Sequence, residues 1–322
     1  MRPHHREARL IADALLAALR PQGASQRARM EKRYLKSDLE HLGLTVPAVR
    51  RTTREFARAH PLDGAGRAAL VRELWARGIY ELRAAAVELL VSSHRSLEPA
   101  DLPLLEELLR DAHTWALVDE LSARCLGSLA DRFAAVRRVL PRLGRDPDFW
   151  VRRAALLAHL LSLREGRGEL AAFGRLAEPL LGDREFFIRK AIGWVLREAG
   201  RRDPESVATW LLPRAERAAH LTVREAVRYL PPARARAVLR AAGIAGQRLV
   251  SPAGAPRTSR GGGADPPRDH RRPSARLRAH GAPGPRSGDR RAGQQAQGQG
   301  PALPGRGLPH RGGGAGRQLR PG

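Results

Sequence analysis

Residues 185–198 read EFFIRKAIGWVLRE. Ile188, Ala191, Ile192 and Val195 stand at i, i+3, i+4 and i+7, the apolar stripe of an amphipathic α-helix. Outward from this stretch the stripe recurs as Leu82/Ala85/Ala86/Leu89, Val151/Ala154/Ala155/Ala158 and Val223/Ala226/Val227/Leu230. With Leu117 as a fifth anchor, the residues Leu82, Leu117, Val151, Ile188 and Val223 follow one another at 35, 34, 37 and 35 positions. The unit at Leu117 is degenerate, with Glu120 where the others carry Ala. A period of this length holds two helices and a turn. One such unit cannot bury its own stripe, so successive units must stack. The expected fold class is all-α: an α-solenoid of HEAT-like helix pairs.

The helical pattern fills residues 1–245, where Leu, Ala, Arg and Glu dominate. Turn signals break it at Gly-Arg-Asp-Pro (144–147), Gly-Asp (182–183) and Arg-Asp-Pro (202–204). Beyond that the composition changes. Residues 251–322 hold 17 of the 32 glycines and 11 of the 24 prolines, with no Phe, Trp or Tyr. Such a segment cannot bury enough apolar surface to offset its ordering entropy. Two regions are therefore expected: a helical-repeat domain over 1–245 and a disordered Gly/Pro/Arg-rich tail over 246–322. Gly, Ala, Arg and Pro are also what GC-rich codons specify, so a read-through or frame-shifted end would have this composition.

The net charge is +25, from 58 Lys and Arg against 33 Asp and Glu. Residues 251–322 carry +11 of it, which leaves +14 on residues 1–250. The helical region is basic in its own right, and a polyanionic partner is expected, nucleic acid first. The single cysteine, Cys125, sits in an apolar helical pattern and reads as a buried, inert thiol. The polar, basic start of the chain has no signal-peptide pattern, and no apolar run is long enough to span a bilayer. A cytoplasmic, nucleoid-associated location is expected, with no membrane partner. No HExxH or CxxC spacing is present, and no metal site is expected.

Helical phase separates core from site. At about 100° per residue from each anchor, the stripe centres near 0°. Trp115 then falls at about 160°, Asp119 and Arg153 at about 200°, Trp194 at about 240° and Arg197 at about 180°. All five are expected on one face of three successive units, away from the stripe. Trp115 and Asp119 are also i, i+4 neighbours. Trp150 has an ambiguous phase and reads as structural, as do Trp75 and Trp210. Indole faces attract a cation, a carboxylate stabilises developing positive charge, and arginines grip phosphate. The combination suits a cationic substrate on a polyanion, such as a purine alkylated at N3 or N7.

Five stretches carry a family resemblance: YLKSDLEHLGL (34–44), VRELWARGIYELRAAAVELL (71–90), WALVD (115–119), WVRRA (150–154) and EFFIRKAIGWVLRE (185–198). Over about residues 25–230 the chain resembles the AlkD-like DNA alkylation repair enzymes. The resemblance implies a DNA glycosylase that removes 3-methyladenine and 7-methylguanine type lesions from DNA without a metal or organic cofactor; double-stranded DNA is the expected partner, and a monomer the expected state. By matching position it implies that Asp119 is the catalytic carboxylate and that Trp115, Trp194 and Tyr34 contact the lesion. It also implies that Arg153, Arg197 and Lys190 bind phosphate. The alternative is a non-catalytic helical-repeat scaffold for nucleic acid or protein. A repeat that reads a sequence would vary one position per unit. The position two after each anchor reads Ala84, Asp119, Arg153, Lys190 and Glu225, which looks like one specialised site.

Overall fold

The computed structural model describes residues 3–244. The tail expected over 246–322, and the boundary that sets it off, lie outside the described residues. Among those described there is no β-strand, only an isolated bridge between Glu40 and Ile79. No helix among them is long and apolar enough to cross a membrane.

Three helices open the chain: α1 (Pro3–Leu19), α2 (Ser25–Leu35) and α3 (Val46–Ala59). Five helix-pair units follow. The first is α4 (Gly64–Ala76) with α5 (Tyr80–Ser92). The second is α6 (Leu102–Asp111) with α7 (Trp115–Glu120), which runs on through a π-helical turn at Leu121–Leu126 into α8 (Gly127–Arg132). The third joins α9 (Ala134–Arg137) and α10 (Leu140–Leu143) to α11 (Phe149–Leu157) and α12 (Leu160–Arg164). The fourth is α13 (Leu170–Ala177) with α14 (Phe186–Ala199), and the fifth α15 (Pro204–Leu211) with α16 (His220–Ala226). Helix α17 (Pro232–Ala241) closes the array against α15.

The stacking follows the repeat. Each second helix touches the next, α5 on α7, α7 on α11, α11 on α14 and α14 on α16. All five anchors and every member of the four stripes are buried. Small stripe residues let these helices approach closely. At Gly193 an added Cβ would lie 2.7 Å from Glu225 Cβ and 2.9 Å from the Thr222 carbonyl oxygen. The turns work as their sequences imply: Asp148 caps α11 by accepting from the Trp150 N–H, and Asp203, followed by Pro204, caps α15 through the Ser206 N–H.

The degenerate second unit has a local cause. Leu117, Leu121, Cys125 and Leu129 are all buried, and they recur at steps of four. In a 3.6-residue helix each such step drifts by about 40°, so four residues would wander off the core. The wider π turn takes up the drift. Cys125 is fully buried within it, and burial pushes its thiol well above the usual range.

Candidate functional site

The face picked out by helical phase begins with Asp119, at the end of α7 just before the π turn. Its carboxylate accepts two parallel bonds from one edge of the Arg153 guanidinium, with Arg153 Nε at 2.7 Å from Oδ1 and Nη2 at 2.8 Å from Oδ2. Another side of the same guanidinium donates from Nη1 to the Phe187 carbonyl oxygen at 2.6 Å, and its carbon lies 5.6 Å from the Phe187 ring centre. Arg153 thus ties α7, α11 and the first turn of α14 together. Asp119 keeps 16% of its side chain exposed while Arg153 keeps 4%, so the carboxylate opens to the surface and the guanidinium backs it from below.

Trp115 lies one turn before Asp119 and is half-buried. Tyr34, half exposed at the end of α2, meets its ring edge-on, with centroids 6.1 Å apart. Tyr34 reaches this place because the loop after α2 is fastened from beneath. The buried carboxylate of Glu81 in α5 accepts from the N–H groups of Leu42, Gly43 and Leu44 at 2.9, 2.6 and 3.1 Å. Gly43 makes the loop possible: its φ is +83°, and a Cβ there would meet the Ala24 carbonyl oxygen at 2.2 Å.

On α14, Trp194 is half-buried, with Lys190 and Arg197 four before and three after it on the same helix face. Both cations go to Glu225 of α16. Lys190 Nζ is 2.5 Å from one carboxylate oxygen and Arg197 donates to the other. All five phase-selected side chains are expected away from the stripe, yet two of them, Arg153 and Arg197, are buried. Each is only 3% exposed, because a carboxylate of the neighbouring unit covers it. Phase within one helix says nothing about what the next helix lays over a side chain.

The position two after each anchor thereby gains a second meaning. Asp119 pairs with Arg153, and Lys190 with Glu225, each across one repeat. The first unit has Ala84 there, and Glu88 takes over, engaged by Arg50 at 3.1 Å and Arg54 at 2.7 Å. Arg50 continues to Glu120 at 3.0 Å, which gives the residue that interrupts the stripe a partner. The column is a ladder of charge between units, negative, positive, positive and negative from the second unit to the fifth, which makes two inter-unit ion pairs. The signal was present in the sequence as a sign change along one register position.

Three tryptophans are structural, as expected. Trp150 is buried between Phe149 and Phe187, at 4.5 and 4.7 Å between centroids. Trp75 donates to Asp111 at 2.8 Å, and Trp210 lies against Gly174 under Arg214. Among the described residues one group, Glu31, His41 and Glu81, brings three metal-type ligand atoms within 4.8 Å. Sequence spacing missed it because its members come from separate elements. Glu81 is already committed to three backbone N–H groups and His41 stacks on Tyr80, so the cluster reads as the fastening of the Tyr34 loop.

The DNA alkylation repair enzyme family model matches residues 15–230, two thirds of the chain. This chain belongs to that family. A predicted DNA alkylation repair enzyme from Enterococcus faecalis has a similar solved structure, with a TM-score of 0.57 and 21% sequence identity. The match covers 66% of this chain and 98% of that one, and at such identity it speaks for the fold. No curated protein matches. The match to this DNA alkylation repair family spans every residue of the face just described, from Tyr34 to Glu225.

Proposed function

We propose that this member of the DNA alkylation repair family is a glycosylase that hydrolyses the N-glycosidic bond of cationic N3- and N7-alkylated purines in double-stranded DNA. The observation that carries the reading is Asp119: a surface-facing carboxylate, oriented by a buried bidentate arginine, one turn from a half-buried indole. Breaking the bond to an alkylated purine puts positive charge on the sugar C1′ and lets the base leave neutral. A carboxylate about 4 Å from that centre contributes about 4 kcal/mol at an effective dielectric of 20, or about a thousandfold in rate. Trp115 and Trp194 offer faces to the cationic base, and Tyr34 flanks Trp115. Water attacks C1′, and the purine leaves with the electron pair of the broken bond.

Arg153 serves this reaction through Asp119, because its donors are turned to the carboxylate and the Phe187 carbonyl. Arg197 and Lys190 share Glu225, so phosphate at their edge competes with that carboxylate. Lys32, Arg33 and Lys36, exposed beside Tyr34 and without carboxylate partners among the described residues, supply further backbone contacts. Excision with this set calls for neither metal nor organic cofactor, and the protein acts as a monomer. A scaffold role draws on the same ladder, since paired charges stabilise a stack without chemistry. The deciding experiment is single-turnover release of 7-methylguanine by wild type and Asp119→Asn, beside a binding titration at fixed salt. A loss of a hundredfold or more with little change in affinity supports the glycosylase and Asp119; cleavage at the wild-type rate removes Asp119 from the chemistry, and no release by the wild type leaves the scaffold.

A further inference from the structure

A cavity of about 720 Å³ opens between the first helices of the third and fourth units and shares no residue with the Asp119 face. One wall is α9 and α10 with Arg137, Arg138 and Arg145; the other is α13 with Arg175. These four arginines are exposed and have no carboxylate within ion-pair distance among the described residues. Elsewhere arginines on or just after the first helices are spent on a neighbouring unit, as in Arg72 with Glu107, Arg110 with Asp146 and Arg214 with Glu178. Across this cleft that habit lapses. Only two carboxylates line it, and Asp131 is taken by Arg167 at 3.0 Å, which leaves Glu169 against four unpaired cations. Self-repulsion of that kind costs stability unless an anion is present to relieve it.

The floor is of a different character. Leu140, Pro141, Leu176 and Pro179 line it beside the His159 ring, which burial keeps neutral at pH 7 by lowering its pKa to about 4. An apolar floor with cationic walls, in a volume within the usual range for small-ligand sites, fits a flat heterocycle joined to several phosphates.

We infer that this cleft binds one phosphate-bearing nucleotide unit, phosphates on Arg137, Arg138, Arg145 and Arg175 and base on the Leu140–Leu176 floor. The unit is either a free nucleoside triphosphate or the 5′-phosphorylated end of a single strand. The test uses the full chain by calorimetry at about 0.15 M salt, where loosely held polyanions are screened. The probes are adenosine triphosphate, inorganic tripolyphosphate and a 5′-phosphorylated single-stranded dodecamer. Saturable binding of one probe per chain is expected, at least about tenfold weaker in Arg138→Gln/Arg175→Gln and again in Arg137→Gln/Arg145→Gln. Without a probe both variants should melt at or slightly above the wild-type temperature, because the repulsion is relieved, and should keep its release of 7-methylguanine. The probe whose binding the variants weaken identifies the source. Absence of saturation, or affinities that neither variant changes, overturns the site; tripolyphosphate binding as tightly as adenosine triphosphate overturns the base contact.

Discussion

The ion pair between Asp119 and Arg153 allows the role of the arginine to be measured. If Arg153 acts only by orienting Asp119, its removal matters only while the carboxylate is present. If it grips phosphate, its removal matters equally in both backgrounds. The cycle consists of Asp119→Asn, Arg153→Gln and the double variant, each followed by single-turnover release of 7-methylguanine. Asp119→Asn should lose up to the thousandfold that a carboxylate near C1′ supplies. Arg153→Gln removes both bonds that hold the carboxylate at 2.7 and 2.8 Å. Freed to rotate, the carboxylate should give up about one to two powers of ten. The double variant should then cleave no more slowly than Asp119→Asn alone. Stability should follow the same logic. Removing one partner of a buried pair costs about 3–5 kcal/mol, and the 16% exposure of Asp119 brings this to about 2 kcal/mol. The double variant leaves no unpaired charge and should melt above either single variant. Additive rate losses in the double variant would refute the positioning role and return Arg153 to the DNA backbone.

Gly193→Ala should lower stability by about 1–3 kcal/mol, because its Cβ would press on Glu225 and the Thr222 carbonyl; an unchanged thermal midpoint would show that α14 and α16 separate freely. His159, with its pKa lowered by burial, is neutral in the folded state down to about pH 4, whereas the unfolded chain protonates it from about pH 6.5. Its contribution is therefore full above pH 6.5 and is lost as pH falls towards 4, on the order of 1–2 kcal/mol after allowing for solvent in the cleft. Denaturant titrations of His159→Phe should show a correspondingly flatter acid limb, and an identical limb counts against the assignment. Cys125 should resist a thiol-reactive disulfide reagent in the native protein and react on unfolding, since burial both hides it and suppresses the thiolate; rapid native labelling would contradict the packing of the π turn.

The apolar stripes alone determined the architecture. Their period requires helix pairs, and a stripe of Ala, Ile and Val that no single unit can bury requires a stack, so the order of the units and their buried residues follow from the one-dimensional pattern. The same phase argument reached the proposed site, because Trp115, Asp119 and Trp194 stand off the stripe on α7 and α14, the helices that flank α11. Even the π turn left a trace in the steps of four from Leu117 to Leu129. What one dimension does not contain is the identity of the neighbour. Arg153 and Arg197 read as open cations within their own helices, and only the next helix brings Asp119 or Glu225 over them. Glu81 looks like a surface carboxylate in α5 until the loop from 42 to 44 folds over it and turns three N–H groups towards it. Lone charges in a sequence carry no partner, and a hydrogen bond or an ion pair depends on separations of a few ångströms between residues some 35 positions apart. Tertiary structure alone decides which arginines are spent on carboxylates and which, as along the cleft beside α13, are left free for a ligand.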